Sequence, residues 1–531
     1  MLGVGLFLGW NWLSHPRLDK LSPIIVEAGA TVTLEGKNFG AQRGDSRVEV
    51  DGVAPTASSY LFWSGSTIRI RLPPGSESGL VYVVTHYGRS NAKLFLNQAR
   101  LPVAARGEGQ GGSESFISAI SSEQGPIGSR LVISGLNFGS NRETSAVLFA
   151  LNTEGSGLED RGGEAVYATN AEVDLGYESW SDKEIGVRVP DGASSGSLFV
   201  KTAAGRSNAV FFAVSDLPGQ KRYKDKRSYA LSYSVNITKV KAGASNDLWL
   251  WVPRPVQSAS QHISRVLAQD PQPYVPDYRG TSLYDFKDLS TGKDISVSQS
   301  YLVQTWAVET EVDPSRLPKT ANLPPLVAAY TTADDLVPAQ APEVLALARK
   351  IVQGEKNAWR QARLIWDWTA KNLSWAANAE GRKVIPALQG RPADSVTWAL
   401  AACSLLRATG IPALPILGYL VDPSRAAVRH AWVEFYVYGI GWVPMDPVLG
   451  SGTSPGGFQA AFEDRARYFG NLDNRHLAFS RGSVSLEPMA ATGRHASPQK
   501  PVALQSFYEE ASGDLEAYSS FWSEVEISGL Y

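Results

Sequence analysis

At 531 residues and 43% apolar composition the chain is too long for a single hydrophobic core, so several domains are expected. Its 50 Lys+Arg face 52 Asp+Glu with no long block of one sign, which excludes the electrostatic footprint of a nucleic-acid binder and leaves protein, peptide or glycan partners. A lone cysteine, Cys403, excludes an internal disulfide or a Cys-based metal cage, and the six histidines are scattered without ligand spacing, so neither a metal nor another cofactor is expected.

Residues 1–19 begin with the apolar run Met1 to Trp10, shorter than the roughly 20 residues that span a bilayer. The run lacks a basic leading segment. It reads as the remnant of an export signal serving as an N-terminal membrane anchor, or alternatively as a buried strand. Two later segments copy one another. Gly36-Lys-Asn38-Phe39-Gly40 returns as Gly135-Leu-Asn137-Phe138-Gly139, each after an alternating strand. Trp63-Ser64, Ile68, Arg71, Pro73 and Gly75 return as Trp180-Ser181, Ile185, Arg188, Pro190 and Gly192, and both copies close on Gly-Arg-Ser-Asn-Ala. The second copy carries a Gly- and acid-rich insertion within 151–177, expected to be a loop. Short strands punctuated by Gly and Pro predict β-sandwiches over 20–98 and 116–216, with Asn38 and Asn137 as turn residues. The two signatures resemble IPT/TIG immunoglobulin-like domains. That resemblance implies adhesion, ligand binding or a spacer role, and without basic loops a cell-surface setting rather than a DNA-binding one.

The basic run Lys221 to Arg227 reads as a solvated linker. Beyond it, Tyr229 to Ile237, Leu248 to Pro255, Tyr284 to Leu289 and Tyr301 to Val312 alternate as strands, which predicts a further β domain over 227–325. From Pro342 the period becomes helical, with apolar stripes through Val344, Leu347, Ala348 and Ile351, then Ala362, Ile365, Trp366 and Thr369. The loop 388–394 leads to Ser395, where a helix opens and runs until Gly410-Ile-Pro412. Cys403 lies on its apolar stripe, about 12 Å beyond Ser395 at 1.5 Å per residue, and is expected in the core. His430-Ala-Trp432-Val-Glu434 and Gly441-Trp442-Val-Pro-Met-Asp446-Pro447 form a predicted hairpin turning at 437–441. The polar and aromatic stretch 468–482 follows. The tail 501–531 is expected to return a helix and a strand to the β domain.

These motifs, with the alanine-rich helix and Arg407-x-x-Gly410-Ile-Pro-Ala413, resemble the transglutaminase-like branch of the papain-like superfamily. Trp251-Val-Pro-Arg-Pro255 is similar to a strand that precedes the core in bacterial relatives. The resemblance implies an α+β papain-like core over 326–500 and an extracytoplasmic, bacterial setting, periplasmic or on the cell surface. It aligns Ser395 with the family's nucleophilic cysteine, His430 with its base and Asp446 with the carboxylate that orients the base; Leu414 stands where the family has arginine. Trp375, Trp398, Trp432 and His476 become candidates for a substrate groove, with core packing or a hydrogen-bonded closing strand as the plainer alternatives. Calcium, used by some animal relatives, has no visible acidic site.

Serine in a site shaped for sulfur loses the resting thiolate–imidazolium pair and depends on concerted base catalysis. The expected activity is therefore acyl transfer or hydrolysis on protein or peptide amides with a Ser-His-Asp arrangement. The competing expectation is a lapsed enzyme that binds or scaffolds. Two further readings stay open: the serine replaces an original cysteine, or Ser395 works with another base, for which His476 is the candidate.

Overall fold

The computed structural model describes residues 15–97, except 23–24, 27–28, 51–53 and 73–78. It further describes 114–531, except 143–144, 152–166, 171–175, 216–217, 318–322, 378 and 380–381. The apolar run 1–10 lies outside the described residues, as does most of the 151–177 insertion. The chain divides into two compact units, 1–110 and 111–531.

In the first unit, alternation decides which face of each strand is buried. Val32 and Leu34, Ile68 and Ile70, Val48 and Val50, and Val81 and Val83 point into one core between two sheets. One sheet runs Arg17–Ser22, Thr31–Lys37, Thr67–Arg71, Tyr60–Trp63; the other runs Ile25–Val26, Lys93–Asn97, Gly79–Thr85, Arg47–Val50. The second copy repeats this order strand for strand. Phe116–Ile120, Arg130–Leu136, Glu184–Arg188 and Tyr177–Trp180 form one sheet, and Gln124–Gly125, Val210–Val214, Ala193–Thr202 and Ala146–Leu151 the other. A short strand within the insertion, Tyr167–Ala168, pairs with Ala146–Leu151, so this piece is not loop.

The repeated signatures have a shared physical cause. A Cβ on Gly36 or Gly135 would lie 2.0 Å from the carbonyl oxygen of Arg17 or Phe116, closer than any side chain tolerates. Asn38 and Asn137 hold left-handed φ of 61° and 59°, and their amides donate to His15 O and Glu114 O. Trp63 and Trp180 donate to Phe39 O and Phe138 O. Asn91 and Asn208 each span a bulged first strand, accepting from and donating to the backbone of Leu18 and Ile117 respectively.

Downstream, the chain enters a strand of 35 residues, Gly219–Pro253, the spine of an eight-stranded sheet. The basic run is therefore strand, not linker. Its residues pair with Thr305 to Thr310, and alternation turns Lys221 and Tyr223 inward while Arg222 and Lys224 meet Glu311 and Glu309 outside. Lys221 Nζ is buried against Asp191 and donates to Trp442 O at 2.6 Å. The tail also departs from expectation: both Glu509–Trp522 and Glu526–Leu530 are strands paired on Gly219–Pro253, with no helix. The open edge of the long strand and the aromatic stretch Tyr518 to Trp522 outweigh the helix propensity of its acidic half.

The remaining elements form an α+β core. An antiparallel sheet in the order Gly441–Met445, Ala427–Val437, Ala413–Val421, His476–Arg481 carries helices on one face: Pro342–Val352, Ala358–Asn372 and, innermost, Ser395–Ala408. Its other face, through Tyr419, Val421, Leu477 and Phe479, packs on the eight-stranded sheet. Every side chain from Ser395 to Arg407 is buried, and the alanines let the helix approach the sheet closely. Arg407 compensates its burial by binding Asp334, Thr332 O and Ala413 O. The second sandwich meets the hairpin directly: Ile127 bridges Gly439 at the turn, and Gly128 leaves room only for the Tyr436 hydroxyl.

Candidate active site

Asp394 caps the innermost helix, its Oδ1 accepting from Thr397 N at 2.9 Å and Thr397 Oγ1 at 2.8 Å. This fixes Ser395 in the first turn, at the positive end of the helix dipole. The Ser395 hydroxyl accepts a hydrogen bond from Ala431 N at 3.2 Å, which ties it to the strand that carries His430. His430 lies opposite Gly418, where a side chain would collide with Leu477 O, so the neighbouring strand crosses close behind it.

His430 Nε2 lies 2.7 Å from Asp446 Oδ2, while its Nδ1 is buried with no hydrogen-bond partner among the described residues. Asp446 ends its strand and caps Pro447–Gly450, Oδ1 accepting from Val448 N at 2.9 Å and Leu449 N at 3.0 Å. A second imidazole meets the same carboxylate: His476 Nε2 is 3.2 Å from Asp446 Oδ2, and its Nδ1 is 2.9 Å from Asp473 Oδ1. The Tyr468 hydroxyl donates to Asp473 Oδ2 at 2.8 Å. Ser395, His430, Asp446, Asp473 and His476 are all at most 4% exposed.

Burial alone would raise the Asp446 carboxyl, but the charge and hydrogen bonds of His430 and His476 outweigh it and hold the group well below the usual carboxylate range. Asp473 is likewise lowered against its burial, chiefly by His476. For His476, burial pulls the imidazole down, yet Asp473 and Asp446 together raise it to about 9. Burial drives the Cys403 thiol up to about 12, consistent with a core residue.

The donor atoms of His430, Asp446 and His476 lie within 4.8 Å of one another, a spacing that would suit a metal. The 2.7 and 3.2 Å separations are those of shared protons, however, and Oδ1 is occupied by two backbone N–H groups. The three groups are joined as a hydrogen-bonded chain in which His430 Nδ1 is left without a partner among the described residues.

The expected groove residues separate. Trp375 is half-buried, edge-on to Trp398 at 6.4 Å. Trp398 is 1% exposed and donates to Ser374 O, so it is core rather than wall, held inward by the helix stripe. Trp432 is 2% exposed, its ring nearly parallel to that of His430, because strand alternation turns it to the same buried face. His476 belongs to the closing strand: both its ring nitrogens are engaged by carboxylates, which leaves none to serve Ser395 as a base. Sequence reading missed Asp473; its signal was the i,i+3 spacing to His476 in Asp473-Asn-Arg-His476.

Residues 345–447 match the family described as the transglutaminase-like superfamily, and residues 16–98 match the IPT/TIG domain. The chain therefore carries a transglutaminase-like domain and an IPT/TIG domain. Similar solved structures include a Cytophaga hutchinsonii protein described as a "putative cysteine protease" (14% identity, 59% of this chain and 92% of that one, TM-score 0.39). Others are the periplasmic domain of TgpA from Pseudomonas aeruginosa (15% identity, 39% and 90%, TM-score 0.23) and SGBP-B from a xyloglucan utilization locus of Bacteroides uniformis (12% identity, 55% and 99%, TM-score 0.15). No curated protein matches the chain. No helix among the described residues is long and apolar enough to cross a membrane.

Proposed function

We propose that this chain performs acyl chemistry on protein or peptide amides, by hydrolysis or transfer to an amine, with Ser395 as nucleophile, His430 as base and Asp446 as the residue that orients it. The observation that carries this reading is the state of His430: Nε2 is committed to Asp446 and Nδ1 has no partner among the described residues, while the next backbone N–H on the same strand, that of Ala431, donates a hydrogen bond to Ser395 Oγ. In the reaction, Ser395 Oγ bonds to the amide carbon as its proton passes to His430. The imidazolium then returns that proton to the leaving amine as the C–N bond breaks. Water or an amine, deprotonated by His430, then bonds to the ester carbon, the bond to Ser395 Oγ breaks, and the imidazolium returns the proton to Oγ. Backbone N–H groups of the first helical turn are suited to the oxyanion.

A second reading is favoured by one contact. The Ser395 hydroxyl accepts from Ala431 N, and a serine so held in a site of cysteine type suits a binding or scaffolding protein that turns over slowly or not at all. The copied strand order of residues 116–214 supports a second IPT/TIG-like sandwich, and a periplasmic or surface location with peptide or glycan partners suits such a chain.

The test measures release of amine from peptide amides and incorporation of a labelled amine. It uses the chain as it stands, Ser395→Cys and His430→Ala. Activity in the serine form that disappears in His430→Ala establishes the first reading. Activity only in Ser395→Cys establishes the lapsed site, and inactivity of both serine and cysteine forms overturns the acyl-transfer reading.

A further inference from the structure

We propose that His476 is a positioning residue of this site: held as an imidazolium between Asp446 and Asp473, it fixes the carboxylate that orients His430. The proposal rests on the acyl-transfer reading only for its kinetic arm.

The geometry carries it. An ionised carboxylate only accepts hydrogen bonds, so an imidazole with one ring nitrogen 3.2 Å from Asp446 Oδ2 and the other 2.9 Å from Asp473 Oδ1 must carry a proton on each. Asp473 is secured in turn by the Tyr468 hydroxyl at 2.8 Å and Arg475 N at 2.9 Å. The result is a buried chain, Tyr468 to Asp473 to His476 to Asp446 to His430, in which the His476–Asp473 pair is net neutral. It adds no charge to the site while supplying Asp446 with a fourth hydrogen bond, after those from His430, Val448 N and Leu449 N. Asp446 Oδ2 is thereby pinned from two sides, and its carboxylate plane cannot turn away from His430 without breaking several charge-assisted bonds.

The surroundings are consistent with a protonated His476. The charged and titratable groups that face it are Asp446 and His430 on the hairpin, Asp473 and Tyr468 on its own side, and the Glu434–Arg481 pair across a small cavity shared with Trp432. Trp432 closes the remaining side with its ring centroid 5.0 Å from the imidazole.

Two variants test the assignment, His476→Gln and Asp473→Asn, the latter nearly isosteric and removing only the charge that holds the second proton. With ¹⁵N-labelled histidine, the full chain should show both nitrogens of His476 protonated at neutral pH, losing a proton only as pH rises through about 9. Asp473→Asn should convert His476 to a neutral tautomer near pH 7 and shift the His430 Nε2–H resonance. In the catalytically active form of the chain, His476→Gln should lower kcat about 100-fold with KM unchanged, as for a misaligned base, and displace the pH profile. A His476 that is neutral at pH 7 in the unmodified chain overturns the proposal. So do His430 resonances that stay fixed in both variants. If no form of the chain has activity, the acyl-transfer reading fails, and the resonance arms still decide the position of His476.

Discussion

The two sandwiches share strand order, the bulged first strand, the left-handed asparagine and the bridging Asn-to-backbone bonds, yet they are built into the chain differently. The first is a compact unit by itself, and the ion pairs described in it keep an arginine about half exposed or more. The second belongs to the same unit as the α+β core. It sets Asp191 against the buried Lys221 and lays Ile127 along Gly439, the turn between the strands of His430 and Asp446. Identical folds can thus serve as a separate module or as scaffolding for a site, and the difference lies in a few loop residues rather than in the β framework.

Breaking that distinction should cost most at the buried pair. Lys221→Met leaves Asp191 in the interior without its cation and should destabilise the second unit by about 3–5 kcal/mol in urea unfolding, with the transition of the first unit unmoved. Equal displacement of both transitions would show that the units are not separate.

A somewhat smaller effect is expected from pH. His476 is raised in the folded state, so its contribution is complete below its ordinary value near 6.5 and fades as pH rises through about 9. Asp446 and Asp473 are lowered, so theirs is present above the ordinary carboxylate value and fades as pH falls toward their folded values. Calorimetry from acid to alkaline pH should find the second unit's transition highest between these limits. An alkaline loss confined to the first unit would refute this assignment.

The smallest effect sharpens the likeness instead. Asn91→Ala and Asn208→Ala each strand the backbone groups of one residue, Leu18 or Ile117, and should cost about 1–3 kcal/mol apiece in their own units. Markedly unequal losses would mean that the shared signature does different work in the two copies.

Much of this architecture was legible in the residues. Asn38 and Asn137 reported turns, and the stretch 437–441 reported the hairpin, because these constraints are local. Ser395 at a helix start followed from the loop and the alanine-rich stripe. The basic run and the tail were misjudged for one shared reason: the strand Gly219–Pro253 takes its partners from residues about 300 and 520, and pairing at that distance leaves no local trace. The same holds for His476. Its place behind Asp446 depends on the register of His476–Arg481 against Ala413–Val421, set by packing rather than by motif.

The depth of Cys403 has a practical consequence. Because it is the chain's sole thiol and lies wholly inside the helix, the native protein should resist alkylating reagents until it unfolds. Any cysteine placed at an accessible position would then be the single point of attachment for a fluorophore, spin label or crosslinker, with the parent chain as its unlabelled background.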